Sequence, residues 1–166
     1  QHVEITRDIA IRFNNKYGDV FKIPEAISTK VGTKIMDLVD PSKKMSKTED
    51  NPKGVICLLD DPEVARKKIM GATTDSEMKV KFDPENKPGI SNLINIYAAL
   101  TDRTTNEVEI LFENANYGSF KKAVADVVCS FLKEIQERYC ELIDSEYIDE
   151  MLRENAKLVR EMAHDK

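Results

Sequence analysis

At 166 residues with 41% hydrophobic content, the chain is long enough for one ordinary domain or two small ones around a packed core. Its 25 basic against 30 acidic side chains, a formal net charge of -5, exclude wholesale electrostatic capture of nucleic acid, so no DNA partner is expected and any RNA contact must rest on local patches. No apolar run approaches the roughly 18 residues that span a bilayer and no charged, apolar leader opens the chain, so the expectation is a cytoplasmic protein with no membrane partner.

The first element is a helix, with Ile5, Ile9, Phe13 and Tyr17 along one stripe and Gly18 as its C-cap. The chain enters that pattern at once, from Gln1 rather than an initiator Met, which points to a piece of something longer whose preceding part packs on this helix. VFKIP, residues 20–24, and VICLL, residues 55–59, read as short strands, the remains of an α/β layer on either side of a lysine-rich segment. Asp61-Pro62-Glu63 supplies an N-cap, a first-turn proline and an early acid, opening a helix towards Ala72.

From there the pattern is helical to the end. Pro88-Gly89 introduces Ile90, Leu93, Ile94, Tyr97 and Leu100 on one face, a shorter helix falls between Thr104 and Phe112, and Asn116, Tyr117 and Gly118 break the chain again. Ser119 is the expected N-cap of the longest helix, about five turns carrying Phe120, Val124, Val127, Phe131, Ile135 and Tyr139. A last helix runs from Ser145 to near His164, acidic early and basic late, with Ile148, Leu152, Val159 and Met162 inward. Every one of these stripes is read as core. The fold class is therefore mostly α: the end of a Rossmann-like α/β layer over 1–60, then a helical bundle over 61–166.

Little of the usual catalytic material is present. Cys57, Cys129 and Cys140 are odd in number and form no CxxC, so they read as buried or half-buried thiols rather than a disulfide framework or zinc site, and the two histidines, His2 and His164, stand near the ends. No residue is assigned to a metal. Neither GxxxxGK[ST] nor GxGxxG occurs. What stands out is KKMSKTED, residues 43–50, three lysines within five residues between Asp40-Pro41-Ser42 and Asn51-Pro52. Proline and serine flanks are turn chemistry, so the lysines belong to a loop, and a locally cationic loop suits an anionic ligand.

Lys44-Met45-Ser46-Lys47-Thr48 resembles the KMSKS signature of class I aminoacyl-tRNA synthetases, with Thr48 for the final serine. QHVEITRDIAIRFN, IPEAISTKVGTKIMDLVDPSKKMSK, TDSE at 74–77, KPGISNLINIY and IQERY resemble, in the same order, stretches of the bacterial tryptophanyl-tRNA synthetases. The resemblance covers nearly the whole chain, while that family's HIGH-like signature is absent from it. It implies the distal half of such an enzyme: the end of the nucleotide-binding fold and a helical domain that helps bind the tRNA anticodon stem.

In that family tryptophan's carboxylate attacks the α-phosphorus of ATP, pyrophosphate leaves, and tRNA(Trp) then takes the tryptophanyl group. Carried over by position, Lys44 and Lys47 would hold the departing phosphates as catalytic cations. Met45 would lie near the adenine through its backbone, Ile35 would contact it, and Ser46 and Thr48 would add donors. Lys43 matches no motif position and reads as a surface lysine. The resemblance also implies ATP with accompanying magnesium, L-tryptophan as substrate with its pocket lying elsewhere, and a homodimeric parent. Two alternatives stand beside it: a tyrosyl-tRNA synthetase, set aside by the ITRDIA and KPGISNL blocks, and a helical RNA-binding or interaction module without catalysis.

Overall fold

The structure is a computed structural model describing residues 2–27, 34–48 and 51–164; Gln1, the Gly32 stretch ahead of Lys34, and the Glu49-Asp50 end of the lysine segment lie outside the described residues. Among those described there are six α-helices and no strand: α1 (His2–Tyr17), α2 (Pro62–Met70), α3 (Pro88–Leu100), α4 (Thr105–Leu111), α5 (Tyr117–Ile143) and α6 (Tyr147–His164). The expectation of a mostly α chain holds. The chain divides into two compact units, Gln1–Thr29 with Asp144–Lys166, and Lys30–Ile143.

In the first unit, α1 stops where Gly18 takes φ +90, the left-handed conformation that glycine adopts without strain, and its N–H caps the Asn14 carbonyl at 2.8 Å. The following VFKIP run is not a strand. Asn14 Oδ1 accepts from the Val20 and Phe21 amides, Asn14 Nδ2 donates to the Phe21 carbonyl, and Arg7 donates to the Pro24 carbonyl. Side chains of α1 thus claim the backbone groups that a neighbouring strand would need. Phe13 stacks edge-on against Phe21 with centroids 4.9 Å apart.

The apolar stripes of this unit correct the reading that every stripe is core. Ile5, Ile9 and Tyr17 are 58%, 61% and 59% exposed, and α6 buries no residue, Ile148, Leu152, Val159 and Met162 all lying in the exposed class. Periodicity identifies a face but not what covers it. The α6 helix also begins at Tyr147, two residues past Ser145.

The second unit holds the core. Asp61 caps α2, its carboxylate accepting from the Glu63 amide at 2.7 Å ahead of Pro62, and the helix buries Ala65 and Ile69. Almost all of α3 is inside, and α4 opens on a reciprocal capping box between Thr104 and Glu107. The α5 helix packs against α2 and α3, and α3 against α4. Tyr97, Phe112 and Phe120 form an aromatic cluster, with Phe112 4.8 Å from Phe120 and 5.2 Å from Tyr97.

Two expectations for α5 change. Its N-cap is Asn116, whose Oδ1 accepts from the Ser119 amide at 2.8 Å, so Tyr117 and Gly118 form the first turn instead of a break before Ser119. At 27 residues it runs to about seven turns. Its buried face is Phe120, Val124, Ala125, Val128, Cys129 and Leu132, whereas Phe131 and Tyr139 are 41% and 42% exposed. The inward stripe is rotated from the expected one because α2 and α3 both need covering. Of the thiols only Cys129 is buried, donating to the Pro62 carbonyl; Cys57 and Cys140 are exposed.

Candidate functional site: the lysine loop and its stem

The lysine segment is a loop on a narrow two-chain stem. The Met45 amide donates to the Ile35 carbonyl at 3.0 Å and the Asp37 amide to the Lys43 carbonyl at 2.9 Å, leaving Met36 and Lys44 directly opposed in an antiparallel bridge. Between these rungs the chain turns at Asp40-Pro41-Ser42, where the Lys43 amide donates to the Asp40 carbonyl. The Ser42 hydroxyl and amide both donate to the Asp40 carboxylate, and these contacts, with the nearby Lys43 ammonium, hold that carboxyl below its ordinary range.

Behind the stem several backbone groups are claimed by side chains and by neighbouring loops. Buried Asp37 accepts from the Val39 and Asp40 amides at 2.7 and 2.9 Å through one oxygen. The Leu38 amide donates to the Gly54 carbonyl, the Thr73 amide to the Leu38 carbonyl, and the Thr73 hydroxyl to the Val39 carbonyl. Gly54 is required here, since a Cβ at that position would fall inside the Asp37 carboxylate. Gly89 on α3 is required likewise, since its Cβ would meet the Thr73 carbonyl. Asn92, buried on α3, accepts from the Met36 amide at 2.8 Å and donates to the Met36 carbonyl at 2.7 Å.

The VICLL run, expected as a strand, is a second support of this kind. Lys68 donates to the Val55 carbonyl, the Cys57 amide to Asp60, and Gln136 to the Leu58 and Asp60 carbonyls. Side chains of α2, of α5 and of Asp60, just after the run, take these backbone groups in place of a neighbouring strand.

Of the expected site residues, Ile35 and Met45 come together. Both line an apolar cavity of about 190 Å³ with Ile56 and Leu58 on one side and Ile96, Val128 and Phe131 of α3 and α5 on the other. Ser46 and Thr48 share a hydroxyl contact at 3.1 Å, so threonine in the last position keeps the polar group and adds only a methyl. Lys44 and Lys47 are exposed, and among the described residues neither ammonium meets a carboxylate. Lys43 differs: it stands 3.7 Å from Asp40. The segment therefore presents two ammoniums that meet no carboxylate among the described residues, Lys44 from the stem bridge itself and Lys47 three residues beyond it, an arrangement that suits polyanionic oxygens.

Asn92 and Thr73 were not among the residues singled out from the sequence. Asn92 had a signal, being polar within an α3 stretch that carries Ile90, Leu93 and Ile94, where a buried amide must find partners. Nearby lies a second polar cluster. Asp75 accepts from the Tyr117 hydroxyl at 2.8 Å and pairs with Lys87 at 3.0 Å, and Lys87 also reaches Glu77. Burial pulls the Lys87 ammonium down, but Glu77, Asp75 and Tyr117 outweigh it and raise it above the ordinary lysine value. This ties the TDSE segment to the starts of α3 and α5.

Comparison with known proteins gives one consistent answer. Residues 1–133 match the family model for tRNA synthetases class I (W and Y). The tryptophan–tRNA ligase of Malacoplasma penetrans is 54% identical over 100% of this chain and 50% of its own length, and that of Bacillus subtilis 52% identical over 99% and 50%. The chain thus spans about half the length of the curated relatives it matches. Among solved structures, tryptophanyl-tRNA synthetase from Mycoplasma pneumoniae superposes with a TM-score of 0.74 at 37% identity, covering 82% of this chain and 43% of that one. The Campylobacter jejuni enzyme complexed with ADP and tryptophan superposes at 0.59 with 29% identity, covering 99% and 50%. A KMSKT loop on a packed helical frame, matched along its length by these relatives, places the chain in the class I tRNA synthetases of the tryptophan and tyrosine group.

Proposed function

We propose that this chain supplies the ATP-phosphate loop and the helical tRNA-binding part of a tryptophan–tRNA ligase. The observation that carries the reading is the pair of exposed ammoniums, Lys44 and Lys47, held on a tethered stem without carboxylate partners among the described residues. In the first step a tryptophan carboxylate oxygen bonds to the α-phosphorus of ATP while the bond to the pyrophosphate oxygen breaks. Negative charge then builds on the leaving group. Two point charges that tighten on those oxygens as they move bind the transition state better than the ground state, which is what lowers a barrier. In the second step a terminal ribose hydroxyl of tRNA(Trp) takes the tryptophanyl group and releases AMP.

Within this reading Ile35 and Met45 give the adenine an apolar edge, and Ser46 and Thr48 offer donors to the phosphates. Magnesium is the ion that ATP brings on its own phosphates. Residues 1–60 form the end of the nucleotide-binding domain and 61–166 the tRNA-binding domain, a division of labour in which Ile35, Met45 and Ile56 nevertheless pack on the helical core. The full protein acts as a cytoplasmic homodimer. Tryptophan is preferred over tyrosine as substrate because both named relatives near half identity are tryptophan ligases.

The test is single-turnover adenylate formation by the full-length protein. Lys47→Ala should slow it by about a hundredfold, with Lys44→Ala close behind, while tryptophan affinity stays within about twofold. Adenylate formation with tyrosine in place of tryptophan, or Lys47→Ala turning over at the wild-type rate, would remove the proposal.

A further inference from the structure

We infer that Asn92 is a positioning residue for Lys44, clamping the stem of the loop to α3 and so coupling the helical frame to the phosphate-holding lysines; this rests on the ligase reading above. Met36 lies between two partners. On one side it is paired with Lys44 across the bridge, flanked by the rungs from Met45 to Ile35 and from Asp37 to Lys43. In a pair of this kind neither opposed residue uses its own N–H or C=O on the other. Both polar groups of Met36 therefore face away from Lys44, and both are taken by the one side chain of Asn92, at 2.8 and 2.7 Å.

A primary amide presents one donor and one acceptor side by side, as a strand edge does, so Asn92 acts as a one-residue substitute for a third strand. The orientation is determined, because turning the amide over would set donor against donor and acceptor against acceptor. Asn92 is 2% exposed, so water cannot replace either bond, and leaving the Met36 groups unmatched there is costly. The two residues are 56 positions apart in the chain. The clamp joins the segment carrying Ile35 and Met36 to the middle of the most buried helix, and a displacement of α3 is passed through Met36 to the backbone of Lys44.

The test separates positioning from mere stability. In the full-length protein, Asn92→Leu keeps side-chain size but presents no polar atom, and Val108→Ala, at the one buried position of α4, lowers stability away from the loop. Asn92→Leu is expected to slow adenylate formation roughly tenfold to a hundredfold with the tryptophan KM within about twofold, since misplacing a reactive group by about an ångström costs on that order. Val108→Ala, matched or exceeding it in lost melting temperature, should leave the rate within about twofold. Equal slowing by both variants, or no slowing by a folded Asn92→Leu, overturns the clamp.

Amide exchange in the wild-type protein supplies an arm that needs no variant. Met36 and Met45 amides should exchange far more slowly than those of Lys47 and Thr48, and comparable rates at all four overturn the proposal even if Asn92→Leu does not fold. If the wild-type protein forms no tryptophanyl-adenylate, the ligase reading fails by itself while the exchange pattern still decides whether the clamp exists.

Discussion

The backbone of the lysine loop and its charged tip, the ammonium ends of the Lys44 and Lys47 side chains, lie within a few residues of one another and are built in opposite ways. Along the stem, backbone groups of Met36, Leu38, Val39 and Asp40 are each matched by a named partner, and the fit is close enough to require Gly54 and Gly89. At the tip, Lys44 and Lys47 project charge with no carboxylate partner among the described residues. Hydrogen bonds inside a packed frame give position, and charges left in water give response to a ligand. A loop that must follow moving phosphate oxygens needs both.

The sharpest separation of the two comes from the 166 residues alone. They hold the stem and the helical frame but contain no HIGH-like signature and span about half the length of the ligases they match, so tryptophan-dependent ATP–pyrophosphate exchange should be undetectable while Met36 and Met45 amides remain protected. Robust exchange activity in that assay would mean that the tip works without the partners assigned to it, and the division proposed here would collapse.

A smaller effect is expected from the stem, and it should be of the other kind. Gly54→Ala drives a methyl group into the buried Asp37 carboxylate, which is engaged with two amides and cannot move freely. Overpacking of this sort costs about 1–3 kcal/mol, readable in urea unfolding of the protein. Lys47→Ala should leave the same unfolding curve unchanged while abolishing most of the rate. If Gly54→Ala proved neutral in stability, the stem would be looser than its contacts indicate, and the contrast with the tip would lose its physical basis.

How far this arrangement was legible beforehand depended on the range of the interaction. Local chemistry was readable: Asp61 before Pro62 and Gly18 after a helix act within one turn, and each stands where its sequence signal put it, while the helix expected from Thr104 does begin there, on a capping box with Glu107 that had not been read. The lysines of the tip were readable too, because the motif is contiguous. The strands at 20–24 and 55–59 were misread because a run of apolar residues says nothing about who satisfies its amides. Asn14, Lys68 and Gln136 do so from neighbouring helices, and in the last case from more than 70 residues away. The stripes of α1 and α6 were assigned to core by period alone, and their exposure shows that amphipathicity leaves the covering partner undetermined. Asn92 was the residue most worth finding, a polar amide among the apolar positions of α3.

The finest discrimination lies within the tip itself. Lys43, Lys44 and Lys47 each carry one positive charge on the same short loop, so replacing any of them by alanine subtracts the same net charge from the same place. Among the described residues only Lys43 of the three sits against a carboxylate, 3.7 Å from Asp40, with both side chains about half exposed at 59% and 48%. An exposed pair of this sort is weakened by water and salt, and what field it does project is partly cancelled by its partner. Lys43→Ala should therefore change adenylate formation by no more than about twofold, against about a hundredfold for Lys47→Ala, with the gap persisting as ionic strength is raised. The salt series matters because a diffuse cationic patch and a pair of placed ligands respond differently. Screening would draw all three variants together if the loop merely attracted ATP, whereas contacts made at hydrogen-bond distance in the transition state survive it. Convergence of the three rates at high salt, or equal losses at low salt, would reduce the tip to a patch and withdraw the separate roles given to Lys44 and Lys47.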